Sequence, residues 1–268
     1  QAFLHSGTPV DTFYILLGGI CAVRIYSEQG GSAVVASQSE LQVYGFSERL
    51  AGRDCSATVY AASDDCILLA CPATLFLQTM EQRRSIYHLG HECAATEEQI
   101  IDMLQRTLLA VPSAFNGQTT RLVLLMGSHH YELWEIVKHT LAALIPSEAM
   151  AKTRDKIDRS FQSGCGTVLF FEDQKIVEQQ AKDFATYAEV MPTYSQHTSA
   201  MHQFAVWCQL EEMGFGASLQ HYNPLIDRRV AERWSLPASW RLVAQMPFGT
   251  PLSHPEPREQ HLPLAERL

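Results

Sequence analysis

Two guanidinium groups and a hydroxyl stand together at Arg83-Arg84-Ser85, followed by Ile86-Tyr87. An arginine fork grips a phosphate through two parallel hydrogen bonds, and a helix start would add free N–H groups and its dipole. The trio is read as lying at such a helix start; a solvated charged turn is the plainer alternative. A second group is Val111-Pro112-Ser113-Ala114-Phe115-Asn116-Gly117-Gln118-Thr119-Thr120-Arg121. Its Asn and Gln amides each donate and accept, as contact with a heterocycle edge requires. An ordinary helix-to-strand loop would read the same way. A third is Gly214-Phe215-Gly216-Ala217-Ser218-Leu219-Gln220-His221-Tyr222-Asn223-Pro224. Glycines and small residues there would let backbone approach a flat ligand, or would simply end a helix and turn. The fourth, Met246-Pro247-Phe248-Gly249-Thr250-Pro251 with Arg258 beyond it, is by itself a strand end and a proline arm.

Other reactive residues form no comparable pattern. His129 and His130 are adjacent, His197 and His202 are five apart, and His88 and His91 have only Cys93 near them, so no metal site is expected. The seven cysteines (21, 55, 66, 71, 93, 165 and 208) include no CxxC pair and read as reduced, mostly buried thiols. Cys165, between two glycines, could be a reactive thiol but reads better as a small buried residue. Glu172-Asp173 reads as a solvated strand end or a helix cap.

Two stretches of different periodicity must position these groups. Over residues 1–80, short apolar runs (Thr12–Leu17, Ile20–Tyr26, Ala33–Ala36, Ala57–Ala61, Cys66–Cys71) alternate with turn signals, as in a β sandwich, barrel or jelly roll. From residue 81 the period becomes helical: Ile100, Met103, Leu104, Leu108 and Val111; Leu133, Val137, Leu141 and Leu144; Met201, Phe204, Ala205 and Cys208 up to Gly214. Strand-like runs at Leu122–Met126, Thr167–Phe171 and Leu242–Met246 lie between them, so residues 81–268 are expected to form an α+β domain. The boundary near 76–82 has no Gly/Pro/Ser linker and should be helical. The last segment, from Pro247, has five prolines and is expected to be an extended arm.

The 268 residues are 46% hydrophobic and 18% charged, which suits one or two packed domains and excludes a disordered chain. A net charge of −9 argues against binding a nucleic-acid backbone, while leaving room for a local basic pocket. No apolar run is long enough to span a membrane and no signal peptide is visible. An acidic chain of this kind is expected in the cytoplasm. It opens at Gln1 inside a folded-looking pattern, as a piece of a longer protein would.

In order and spacing the four segments resemble the nitroreductase family, in its fatty-acid-repression and copper-induced branch; Gly166-Thr167-Val168-Leu169-Phe170-Phe171-Glu172-Asp173 fits as well. The resemblance covers about residues 81–268. It implies an FMN-binding α+β homodimer with the flavin at the subunit interface. Arg83, Arg84 and Ser85 would then hold the phosphate and ribityl end. Pro112, Ser113, Ala114 and Asn116, in a motif completed by Gln118, would reach the flavin from the partner subunit. Ala217, Ser218, Leu219 and Gln220 would present backbone near the ring. Arg258 stands where the family has a basic phosphate ligand, often Lys, and Gly117 replaces a commoner Ser. The implied chemistry is ping-pong: NADH or NADPH passes hydride to flavin N5, then an electron-poor small molecule such as a nitroaromatic or quinone takes the electrons. No side chain is nominated as a catalytic acid or base.

Phe3 to Gly19 resembles the opening strands of a cyclic-nucleotide-binding domain, truncated before its first strand and leading helix. Phe46-Ser47-Glu48 and Ser56-Ala57-Thr58-Val59 resemble its phosphate cassette, but Ser47 replaces a Gly, Cys55 replaces the Arg, and Arg53 lies two positions early. A degenerate regulatory or scaffold jelly roll is therefore expected rather than a working nucleotide sensor. The alternative for the whole chain is a cyclic-nucleotide-responsive or redox-sensing regulator with a weakly active flavin domain.

Overall fold

The structure is a computed structural model describing residues 2–8, 10, 12–26, 32–37, 42–45, 54–72, 75–255, 262, 263 and 267. The chain divides into two compact units, Gln1–Gln82 and Arg83–Leu268.

The first unit is built from β1 (Ala2–Leu4), β2 (Thr12–Gly18), β3 (Cys21–Tyr26), β4 (Ser32–Ser37), β5 (Gln42–Tyr44), β6 (Ala57–Ala61), β7 (Ile67–Pro72) and α1 (Leu75–Gln82). Its strands form two antiparallel sheets, ordered β1-β6-β3-β4 and β5-β2-β7. Leu4, Val10, Leu16, Cys21, Tyr44, Cys55 and Val59 fill the core. The expected β architecture is present. The two three-residue strands β1 and β5 are too short to show an alternating pattern in the sequence.

The second unit runs β8 (Leu89–Gly90), α2 (Glu97–Ala110), β9 (Thr120–Met126), α3 (Gly127–Ala142), α4 (Ser147–Ser160), β10 (Gly166–Asp173), α5 (Gln174–Asp183), α6 (Met191–Glu212), β11 (Gly216–Ala217), α7 (Asp227–Arg233) and β12 (Trp240–Pro251). One antiparallel sheet, ordered β11-β12-β10-β9, has β8 paired to the end of β12. Alternation along the strands divides the core in two. Val168 and Phe170 of β10 face a cluster shared with α2 and α6; Leu169 and Phe171 face one shared with α3, α4 and α7. In β12, Ala244 joins the first cluster and Leu242 the second, although they are two residues apart. A register shift opposite Phe170/Phe171 inserts one residue and exchanges the faces. The α+β class expected from the sequence is the one observed.

Three local expectations are corrected. Arg83-Arg84-Ser85 does not start a helix; it follows the end of α1 as extended chain, because Ser85 pairs in parallel with Ala217. Met246–Pro251 is not an arm: it lies within β12, in the sheet interior. Pro247 fits there because its carbonyl, on the β11 side, accepts from Ser218 N; its missing N–H would point to the same side, where β11 is only two residues long. Leu144 lies beyond α3 and is exposed.

Candidate functional site

The long helix α6 organises the site. It ends in a Schellman turn, with Phe215 N donating to Leu210 O at 2.9 Å and Gly214 at φ +87°. The turn sends the chain into β11, beside the Arg83–Ser85 strip. Ile86 N donates to Ala217 O at 2.9 Å, closing the strip onto β11. Gly216 permits this approach, since a Cβ there would lie 2.8 Å from the Ile86 side chain. Two segments 132 positions apart in sequence, at Ser85 and Ala217, thus become neighbours.

One stripe of α6 carries Gln196, Ala200, Gln203, Trp207 and Glu211, spaced four, three, four and four residues apart, so all five share a face. At its C-terminal end the Arg83 guanidinium lies 4.3 Å from the centre of the Trp207 ring, and Arg84 N donates to Glu211 Oε2 at 2.9 Å. Trp207 Nε1 is buried with no hydrogen-bond partner among the described residues. A cation beside an orphaned N–H donor suits an anionic oxygen. At the other end Gln196, Ala200 and Gln203 line a cavity of about 300 Å³ with His221, Asn223 and Arg241. Gln203 donates to Ser199 Oγ at 3.0 Å. From Gln196 to Trp207 the helix rises roughly 16 Å.

The loop after β11 is fixed to β12. Ser218 N donates to Pro247 O and Gln220 N to Gln245 O; Gln245 Oε1 accepts from Tyr222 N at 2.7 Å. Ala217 and Ser218 are buried, and Leu219 packs on the core. The N–H groups of Leu219 and His221 have no partner among the described residues.

The 112–118 loop lies elsewhere. Pro112 stops α2, a helix opened by a reciprocal capping box of Thr96 and Gln99. Phe115, Asn116 and Gln118 all adopt left-handed backbone (φ 51°, 52° and 49°). Such conformations persist only where neighbours hold them. Here Ser113 Oγ accepts from Gln118 N at 2.9 Å, Asn116 Oδ1 accepts from Gln118 Nε2 at 3.1 Å, Ala114 O accepts from Gln180 Nε2, and Phe115 stacks on Phe184 at 4.2 Å. A side chain at Gly117 would press on the Gln180 amide. Ser113, Asn116 and Gln118 border a second cavity of about 550 Å³, with Thr120 and His202. The structure therefore joins the Arg83–Ser85 and Ala217–Gln220 segments and keeps the 112–118 loop as a separate, partly exposed feature. Arg258 lies outside the described residues.

Beneath that second cavity is a network the sequence did not reveal. Glu172 is fully buried and accepts from the hydroxyls of Thr120 and Ser195, both at 2.6 Å. It is not the solvated strand end expected. Asp173 does cap the next helix, accepting from Lys175 N, and pairs with Arg121. His202 Nδ1 lies 2.9 Å from Thr198 O and so carries the ring proton; burial holds this histidine below the usual range.

The sequence profile of the nitroreductase family matches residues 80–250, and that of the cyclic nucleotide-binding domain matches residues 1–83. The chain belongs to the nitroreductase family. HBN1 of Saccharomyces cerevisiae is 35% identical over 182 residues, 67% of this chain and 90% of HBN1. The nitroreductase FRM2 of the same yeast is 31% identical over 189 residues, 69% of this chain and 92% of FRM2. Among solved structures, the nitroreductase CinD of Lactococcus lactis with nicotinic acid superposes with a TM-score of 0.66 at 42% identity, over 72% of this chain and 97% of that one. CinD was also solved with chloramphenicol and with 4-nitrophenol. The expected family, branch and fold are thereby established, and this nitroreductase is an oxidoreductase by family. A cyclic nucleotide-binding domain precedes its catalytic fold. Cys55, at the position where that domain's pattern has Arg, is buried and donates its S–H to Ala57 O at 3.0 Å. Phe46, Ser47, Glu48 and Arg53 lie outside the described residues. No helix among the described residues is long and apolar enough to cross a membrane.

Proposed function

We propose that this nitroreductase is an FMN-dependent oxidoreductase that draws electrons from NADH or NADPH and delivers them to nitroaromatics, quinones or similar acceptors by ping-pong exchange at one site. The observation that carries the reading is the α6 stripe, with a cation and an orphaned indole N–H at one end and a polar cavity that begins one turn along at Gln203 and reaches Gln196, roughly 16 Å from Trp207. Those residues fit an elongated coenzyme with a phosphate at one end and a polar heterocycle at the other. Arg83, with Arg84 and Ser85 beside it, would hold the phosphate and ribityl portion together with Trp207 Nε1. The free N–H groups of Leu219 and His221 and the Gln203 carbonyl oxygen would meet the ring edge, in the stretch where Ala217, Ser218, Leu219 and Gln220 supply the wall. When bound, the flavin supplies two-electron chemistry that no side chain offers. The chain's own part is to bind and orient that group, keep donors near its electron-rich edge and leave one side open.

The pair of subunits is part of the proposal. Buried positions of α6 include Ser195, Thr198, Ser199, His202 and Gln203, while Met201 and Phe204 are exposed. Ile101, Leu108 and Leu109 of α2, with Phe115, Phe184 and Tyr187, are also exposed, on elements that pack against one another. An apolar patch of this kind suits a homodimer interface. It would carry Pro112, Ser113, Ala114, Asn116 and Gln118 to the partner's flavin, and Arg258 would add phosphate charge. The CinD complexes with nicotinic acid and 4-nitrophenol support a pyridine donor and a nitroaromatic acceptor here. The test is a visible spectrum of the purified protein, then anaerobic NADPH or NADH. A yellow protein that bleaches and recovers its colour with 4-nitrophenol is expected; a colourless protein that takes up no added FMN defeats the proposal.

A further inference from the structure

Cys21 and Cys66 bring their sulfurs to 3.5 Å from positions 45 residues apart. Cys21 opens β3 in the four-stranded sheet, and Cys66 immediately precedes β7 in the three-stranded sheet. The local frame holds them together. Ala62 N donates to Ile20 O and Ile20 N to Ser63 Oγ, both at 2.8 Å, tying the turn before Cys66 to the start of β3. Gly19, at φ +79°, lies so close that a Cβ there would sit 2.5 Å from Cys66 Cα. Cys21 is fully buried, whereas Cys66 is partly exposed and reachable from solvent. Cys55, in the same core, has its S–H turned to Ala57 O.

We infer that Cys21 and Cys66 are a two-thiol oxidation site that closes to a disulfide under hydroperoxide and staples the two sheets of the first unit together. The sulfur of the partly exposed Cys66 attacks a peroxide oxygen; the O–O bond breaks, and the leaving hydroxide takes the thiol proton as water, giving Cys66–SOH. The Cys21 sulfur then attacks Cys66 sulfur; the S–O bond breaks, and the departing hydroxide takes the Cys21 proton as a second water. Two thiols and one hydrogen peroxide become one disulfide and two waters, with two electrons passing from sulfur to oxygen. Burial, reinforced by Cys66, pushes the Cys21 thiol up to about 12, so the reduced Cys21 stays neutral. The disulfide is neutral too, and burial does not oppose it. Closing the gap needs the sulfurs to move together by about 1.5 Å, within the reach of χ1 adjustments.

The test uses the full chain, reduced, desalted and exposed to stoichiometric hydrogen peroxide, then mapped by mass spectrometry without reductant. The expected product is a Cys21–Cys66 cross-linked peptide, two hydrogens lighter than its parts and released by dithiothreitol. Oxidation should also raise the first unit's unfolding midpoint by roughly 5 °C or more. Cys21→Ser and Cys66→Ser should each abolish both effects, and Cys55→Ser should keep them. Wild-type mapping decides the matter even if a variant fails to fold. A Cys66 sulfinic acid without the link, a link through Cys55, or no change in either cysteine would overturn the inference.

Discussion

The Arg83 guanidinium stacks on the Trp207 indole, 4.3 Å from its centre, on the helix face that also lines the polar cavity with Gln203. The contact fixes a flexible cation before any ligand arrives, and pre-organisation of this kind lowers the entropic cost of gripping a phosphate. Arg83→Ala is therefore expected to weaken FMN binding by about 10- to 100-fold, the range of a charge-assisted hydrogen bond. Trp207→Phe keeps an aromatic face for Arg83 but removes the N–H together with the pyrrole ring; it should cost a few-fold. Flavin fluorescence titration measures both.

Glu172 tests the stability of the network under the second cavity. Glu172→Ala leaves the buried Thr120 and Ser195 hydroxyls without their acceptor. A loss of about 2–4 kcal/mol is expected in urea unfolding of the second unit. Glu172→Gln retains one acceptor and should lose about half as much.

His130 makes stability depend on pH. Burial lowers it from 6.5 to about 4, outweighing the carbonyls of Gln162 and Phe161. The folded ring is neutral, accepting at Nδ1 from the Thr167 hydroxyl and donating at Nε2 to Gln162 O. Between pH 6.5 and 4 the unfolded chain binds a proton that the fold does not. The contribution is fully present above pH 6.5 and falls as pH drops toward 4, by about 3 kcal/mol in total. His130→Gln should flatten that part of the stability–pH curve. An unchanged slope in urea melts at pH 4.5 and 7 would contradict it.

Gly249 tests the sheet. A Cβ there would collide with Gly90 O across β12 and β8. Gly249→Ala should destabilise the second unit by about 2–3 kcal/mol, read as a lower thermal midpoint.

Cyclic AMP and cyclic GMP are expected to give no heat in calorimetry with the full chain. A guanidinium is needed to grip a cyclic phosphate, and Cys55 turns a buried thiol to Ala57 O where the domain's pattern has Arg. Saturable heat would restore the nucleotide-sensor reading.

The sequence showed what local patterns encode. The span of α2 was legible from its periodic Ile100, Met103 and Leu104, and Pro112 marked its end. The strand β10 was legible as an unbroken apolar run because both its faces are covered. Helix α4 was not, since Ser147–Ser160 buries only Met150, Ile157 and Ser160 and carries charge elsewhere. The strip at Arg83 reads from sequence as a helix start because the partner that extends it, Ala217, lies far along the chain. Glu172 escaped notice for the same reason: Thr120 and Ser195 are 52 and 23 residues away. The spacing of Met201, Phe204, Ala205 and Cys208 locates α6 but not its buried face: Met201 and Phe204 are exposed, while Ser195, Thr198, Ser199, His202 and Gln203 are buried, against the presumption of water on the polar side.

The most direct test of the α6 stripe compares FMN with riboflavin, which lacks the phosphate, in calorimetric titrations of the flavin-free protein. The Arg83–Trp207 end predicts one flavin site per chain and FMN binding about 100-fold or more tighter than riboflavin, with the gap narrowing by about 10- to 100-fold in Arg83→Ala. Equal affinities, or a gap untouched by Arg83→Ala, would contradict it.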